Sequence, residues 1–175
     1  MLGVPRNGVV LQPHDPAWID EYNCAKDRFL ETFHDDIVAI EHVGSTAING
    51  IAAKPMLDIA IVFKSMTEQI FQAMKEKGYT YYKEVAAGKH LFVLRGENDI
   101  SLQHIHCYEL SNITLFNEQI QFRNFLQTHA EYAKEYEMLK LKLSEMYYDD
   151  RKKYTAGKQD FFDKIKDIIF HESVT

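Results

Sequence analysis

The chain has 175 residues, 46% of them hydrophobic and 13% aromatic, enough to bury a core without disulfides or a structural metal. Its formal net charge of -6 argues against general electrostatic attraction to nucleic acid or anionic lipid, so neither is expected as a partner. The two cysteines, Cys24 and Cys107, form no CxxC pair, which excludes a zinc ribbon or a thioredoxin-like motif.

The first residues, MLGVPRNGVVLQPHD, lack the apolar core of a signal peptide. The best apolar run, Ile59 to Phe63, is five residues long, against the roughly 20 a membrane helix needs. A cytoplasmic protein is therefore expected. A small phosphorylated ligand stays compatible with the negative total, because local basic groups decide its binding.

In chain order, Val9-Val10-Leu11 reads as a short strand ended by the turn-forming Pro13-His14-Asp15-Pro16. Asp15 suits a helix N-cap and Pro16 a first helical residue. Trp18, Tyr22, Cys24 or Ala25, Phe29 and Phe33 follow at helical spacing and mark a core-facing stripe. Ile37 to Val43 is a β-branched strand running into the loop-like GSTAINGIAAKP, which has room for a helical turn. Leu57 to Phe63 is a second strand, and Thr67 to Lys77 a helix stopped at Gly78. Tyr79 to Glu84 and Leu91 to Arg95 read as paired strands joined through Ala86-Ala87-Gly88, and Ser101 to Tyr108 as a further strand.

From about Asn117 the spacing becomes helical. Ile120, Phe122, Phe125 and Leu126 mark one helix, Tyr132 to Met146 a second, and Phe161 to Ile169 a third. The expected fold is α/β (α+β), a mixed-sheet core over residues 1–108 with a helical extension over 109–175 packed on it.

The residues with chemical promise are Gly44-Ser45, a connection of twelve residues, and Asp58 inside an apolar strand. A Gly-Ser turn at a strand end lets backbone N–H groups and a hydroxyl approach a phosphate closely. A helix that begins just after it would add positive potential. Asp58 is costly to bury unless a metal or cation compensates. Alternation places Asp58, Ala60 and Val62 on one face and Ile59, Ile61 and Phe63 on the core face. The same alternation puts His104 and His106 together, opposite Ile105 and Cys107. Two imidazoles and one carboxylate suit a divalent metal, and imidazole favours Mn²⁺ or Zn²⁺ over Mg²⁺.

The ordered set Glu41-His42-Val43-Gly44-Ser45-Thr46-Ala47, Gly50-Ile51-Ala52-Ala53-Lys54-Pro55 and Leu57-Asp58-Ile59 resembles the signature of the GrpB-like proteins, a branch of the nucleotidyltransferase superfamily. Asp15-Pro16-Ala17-Trp18, His104-Ile105-His106, Phe122-Arg123-Asn124-Phe125-Leu126, Tyr136, Lys140, Tyr154 and Gly157-Lys158 extend the likeness over nearly the whole chain. The resemblance implies a nucleotidyltransferase-like fold and transfer of a nucleotidyl group from a nucleoside triphosphate. The superfamily pairs its Gly-Ser turn with two carboxylates two residues apart, which hold Mg²⁺. Here the first is Asp58 and the second position is Ala60.

On that reading Asp58 and Ser45 are the expected catalytic residues, and Asp58, His104 and His106 the metal ligands. Gly44, Ser45, Lys54, Arg123, Lys140 and Lys158 are candidates for holding the nucleotide phosphates. The expected cofactor is Mg²⁺ or Mn²⁺, with Zn²⁺ an alternative, and the acceptor is a small molecule or a protein side chain. A bracing hydrogen bond suits His42, a turn cap Thr46, and a phosphate contact or an edge charge Arg95. Nine basic residues between 131 and 167 are balanced by nine acidic ones, the pattern of a solvated helical surface. A non-catalytic nucleotide-binding module is the alternative that Ala60 favours, and a metal-dependent phosphohydrolase built on His104 and His106 is a third.

Overall fold

A computed structural model describes residues 2–172. Six strands form one sheet: β1 (Val4–Pro5), β2 (Ile37–Val43), β3 (Leu57–Phe63), β4 (Tyr79–Ala86), β5 (Lys89–Arg95) and β6 (Ile100–Glu109). The main order is β2-β3-β6-β5-β4, and β1 pairs with the start of β6. Among the described residues only the β3–β6 pair is parallel; the others are antiparallel, so the sheet is mixed. This is the α/β architecture expected from the alternation of elements.

Helices α1 (Ala17–Phe33) and α2 (Glu68–Glu76) cover one face. The α1 stripe buries Trp18, Tyr22, Ala25, Phe29 and Phe33, while Cys24 is exposed. They meet Ile59, Ile61, Phe63, Ile105 and Cys107 from the central strands. Burying each large apolar side chain contributes about 1.5–3 kcal/mol. Asp15 steadies the helix start, its carboxylate accepting from the Ala17 backbone N–H at 3.0 Å, and Pro16 already has helical backbone angles, φ -55° and ψ -25°, directly before Ala17. Thr67 caps α2 by accepting from Ile70 N–H.

The other face is covered by α3 (Ile113–Thr128), whose Phe116 packs on Val43, Ala60, Val62 and Tyr108. Helices α4 (Ala130–Met146), α5 (Arg151–Ala156) and α6 (Gln159–Glu172) complete the C-terminal part. A second core joins α3, α4 and α6, and the loop residues Ile48 and Ile51 plug into it. The connection between β2 and β3 is thereby held by the helices.

Several expectations shift. Val9 to Leu11 is not a strand: Val9 packs instead against Leu143 and Tyr154, and its N–H donates to the Tyr148 carbonyl at 2.9 Å. The first strand is Val4–Pro5, too short to show a pattern. The hairpin strands extend to Ala86 and from Lys89, leaving Ala87-Gly88 as the turn. Helix α3 starts at Ile113, four residues before Asn117. The short helix α5 had no apolar period to announce it; Asp150 caps it by accepting from Lys153 N–H.

Candidate functional site

Strand β2 ends at Val43, and Gly44 turns the chain with φ 71° and ψ -171° into a single 3₁₀ turn, Ser45–Ala47. Positive φ is a conformation that glycine adopts without penalty. His42 braces the turn from behind. It is buried, stacked on Tyr22 at 4.9 Å between ring centroids, and hydrogen-bonded through Nε2 to Thr46 Oγ1 at 2.9 Å. Burial pushes its pKa down to about 4. The Thr46 hydroxyl thus serves His42. On the open side, Ser45 Oγ lies 3.5 Å from the Tyr136 hydroxyl of α4.

Asp58 lies beside this turn because β2 and β3 pair Val43 with Asp58. The parallel register of β3 and β6 sets Asp58 against His104 and Ala60 against His106. Oδ1 of Asp58 is 3.3 Å from His106 Nε2 and 3.6 Å from His104 Nδ1. Ligand atoms of the three residues all lie within 4.8 Å of one another. Burial would raise the Asp58 pKa, but the hydrogen bond with His106 and the electrostatic pull of His104, His106 and Lys54, felt when they are protonated, outweigh it and hold the carboxyl below its ordinary range. Burial pushes His104 down to about 4 against the pull of Asp58, so its imidazole is neutral at pH 7. Among the described residues, buried His106 Nδ1 has no hydrogen-bond partner. One carboxylate and two imidazoles, with His104 Nδ1 and His106 Nε2 turned toward Asp58 Oδ1, form a donor set that suits a divalent ion, whose binding would displace any proton from the ligating nitrogens.

Ala60 is fully buried beneath Phe116. A second carboxylate has no place there, and His106 occupies the register position beside it.

The site opens into a cleft of about 1660 Å³ between the sheet and α3, α5 and α6. Gly44, Ser45, Lys54, Asp58, His104, His106 and Lys158 all line it. Lys54 is presented by a rigid stretch, since Ala53 and Gln12 exchange backbone hydrogen bonds at 2.8 and 2.9 Å. Its Nζ lies 5.0 Å from the ring centre of buried Tyr154, and Lys158 Nζ lies 4.9 Å from the same ring. Burial, then the charges of Arg151 and Lys158, push Lys54 down to about 7.

Arg123 and Lys140 are placed outside the cleft lining. Arg123 Nη1 donates to Glu41 Oε2 at 2.8 Å and to the His42 carbonyl at 2.6 Å. Lys140 is fully buried, donates to the Ala52 carbonyl, and sits 4.8 Å from the Tyr136 ring centre. Glu137 accepts from Ala52 N–H at 2.6 Å, and Gln127 donates to the Ala47 carbonyl at 2.7 Å. These long polar side chains satisfy loop backbone groups that neither sheet nor helix can pair. Arg95 pairs with Asp99 at 3.0 Å and lines the cleft rim.

Eight basic side chains line the cleft against two carboxylates, Asp58 and Glu118, although the chain as a whole is acidic. Of the nine basic residues between 131 and 167, Arg151, Lys152, Lys158 and Lys166 face it; none of the nine acidic ones does. The balance read from the sequence as a solvated surface is thus sorted by face. Arg151 is the residue this count concealed, and the only signal for it was the basic run Arg151-Lys152-Lys153 ahead of Tyr154.

The chain is 34% identical over 171 residues to the glutamate-rich protein GrpB of Alkalihalophilus pseudofirmus, covering 94% of this chain and 98% of that one. It is 31% identical over 159 residues to the UPF0157 protein YqkA of Bacillus subtilis, spanning 90% of this chain but only 46% of YqkA. The conserved protein GrpB from Enterococcus faecalis has the same fold, with a TM-score of 0.83 at 24% identity over 95% of this chain and 100% of that one. A model of the family described as GrpB protein matches residues 8–167, and the chain belongs to that family.

Proposed function

We propose that the protein is a metal-dependent nucleotidyltransferase that uses a nucleoside triphosphate and an acceptor hydroxyl or amine. The observation that carries this reading is the convergence of Asp58, His104 and His106 beside the Gly44-Ser45 turn at the floor of a basic cleft. Asp58, His104 and His106 would hold the divalent ion, Mn²⁺ suiting this donor set better than Mg²⁺. Such an ion supplies charge neutralisation at phosphate oxygens.

The chain's own part is positioning and electrostatics. Gly44 lets the backbone approach a phosphate, Ser45 offers its hydroxyl, and Lys54 and Lys158 supply positive charge from the cleft wall. The acceptor forms a bond to the α-phosphorus as the bond to pyrophosphate breaks, and the acceptor proton leaves to solvent. A cleft of about 1660 Å³ has room for a nucleotide and an acceptor together.

Buried Ala60 favours a second reading, a module that binds nucleotide without turnover. Incubation with each α-labelled nucleoside triphosphate and Mn²⁺ or Mg²⁺, beside Asp58→Asn, separates the two. Label on an acceptor with pyrophosphate release, lost in the variant, supports the transferase. Tight binding without turnover supports the module, and orthophosphate release a phosphohydrolase.

A further inference from the structure

Three basic side chains, Lys54, Arg151 and Lys158, line one cleft, with Arg151 near enough to act electrostatically on both lysines. Lys54 and Lys158 set their ammonium groups 5.0 and 4.9 Å from the centre of the Tyr154 ring. Arg151 lies one helical turn before Tyr154 in α5. Its guanidinium donates to the Arg6 carbonyl at 3.1 Å and to the Met56 thioether at 3.0 Å, both neutral acceptors. Among the described residues none of the three cations forms an ion pair with a carboxylate. All three are largely withdrawn from water. Asp58 is the one carboxylate whose charge is felt by all of them, and it already faces two histidines.

Gathering three partly buried cations against one shared carboxylate is unfavourable on its own account. Burial and mutual repulsion lower the pKa of Lys54 and Lys158. An anion with several charges removes the cost, and a single carboxylate ligand leaves positive charge unmatched. Arg151, with its fixed fork, supplies the directional contact that a phosphate rewards.

We infer that Lys54, Arg151 and Lys158 form a polyphosphate site, centred on Tyr154, that holds the pyrophosphate portion of the substrate without help from a metal ion. This deepens the transferase reading and rests on it for the role of the site; the binding itself does not require turnover.

The test is calorimetric titration of the full chain with inorganic pyrophosphate in metal-free buffer. The wild-type protein should bind saturably. Lys158→Gln and Arg151→Gln should each weaken binding about tenfold or more, the loss expected for a charge-assisted hydrogen bond. Lys166→Gln removes a cleft-lining charge that is already paired with Glu118 at 2.9 Å, and should change affinity by less than about twofold. Asp58→Asn should bind as tightly or more tightly, because a repelling carboxylate is gone.

No binding by the wild type, equal losses in Lys166→Gln and Lys158→Gln, or loss of binding in Asp58→Asn would each overturn the inference. Circular dichroism reports folding of each variant, and Lys158→Gln decides if Arg151→Gln does not fold. Pyrophosphate binding without label transfer would keep this site and reject the transferase. Label transfer undiminished in a Lys158→Gln protein that binds pyrophosphate normally would do the reverse.

Discussion

A Cβ atom on Gly44 would lie 2.5 Å from Oδ2 of Asp58 and 2.9 Å from its Cβ. The turn and the carboxylate are therefore one packed unit, and the glycine is needed for space as well as for its φ of 71°. Gly44→Ala is expected to cost about 1–3 kcal/mol of stability from backbone strain and overlap together. It should also displace Asp58 and weaken Mn²⁺ binding. Urea unfolding and calorimetric titration with Mn²⁺ check both parts; a folded variant with wild-type metal affinity would show that Asp58 tolerates the shift.

Removal of a ligand tests the metal site directly. Asp58→Asn and His106→Ala should each reduce Mn²⁺ affinity by at least the ~10–100-fold typical of losing a supporting group around a metal. Electron paramagnetic resonance of free Mn²⁺ measures this without any turnover. Unchanged affinity in both proteins would remove the metal from the mechanism.

Arg123 is expected to matter for stability and not for nucleotide affinity. Beyond its neighbour Asn124 on the same helix, it donates to Glu41 Oε2 and the His42 carbonyl, which tie α3 to the end of β2. Arg123→Met should destabilise the fold by about 1 kcal/mol, chiefly because it strands the His42 carbonyl, since Glu41 with a 44% exposed side chain can turn to water. Denaturant titration beside nucleotide binding distinguishes the roles. A drop in affinity at unchanged stability would return Arg123 to the phosphate contacts.

Lys140 gives a pH signature. Burial pushes its pKa down to about 7 in the folded protein, with Lys158 adding repulsion, whereas an unfolded lysine titrates near 10.4. Between about pH 7 and 10 the unfolded chain thus binds more protons at this residue, and its contribution to stability rises with pH. The stability of the wild type relative to Lys140→Met should therefore increase from pH 6 to pH 9 in urea unfolding experiments. A difference that is flat or falls over that range would mean that Lys140 keeps an ordinary pKa.

The sheet and the heart of the site were legible because their signals are local. Period-two alternation fixes which side chains share a face, so Asp58 could be separated from Ile59 and Ile61, and His104 with His106 from Ile105, before any contact was known. The α1 stripe from Trp18 to Phe33 was readable on the same grounds, at helical period. Turn chemistry marked Gly44 as a place of close approach.

What the sequence alone could not decide was which long charged side chains face the cleft. Arg123, Lys140, Arg151 and Lys158 carry no local mark that separates them: each is one cation in the helical C-terminal part of the chain. The packing of Phe116, Phe125, Tyr136 and Phe161 sets how the helices sit: Arg123 meets the His42 carbonyl of β2 and Lys140 the Ala52 carbonyl of the loop, while Arg151 of α5 and Lys158 of the turn between α5 and α6 line the cleft. Charge counted along the chain sums over all faces, whereas a ligand meets only one. Asp58, by contrast, was marked by its own neighbours in the strand, and the parallel register of β3 with β6 supplied what it lacked: two imidazoles across the sheet, where the chain has Ala60 in place of a second carboxylate.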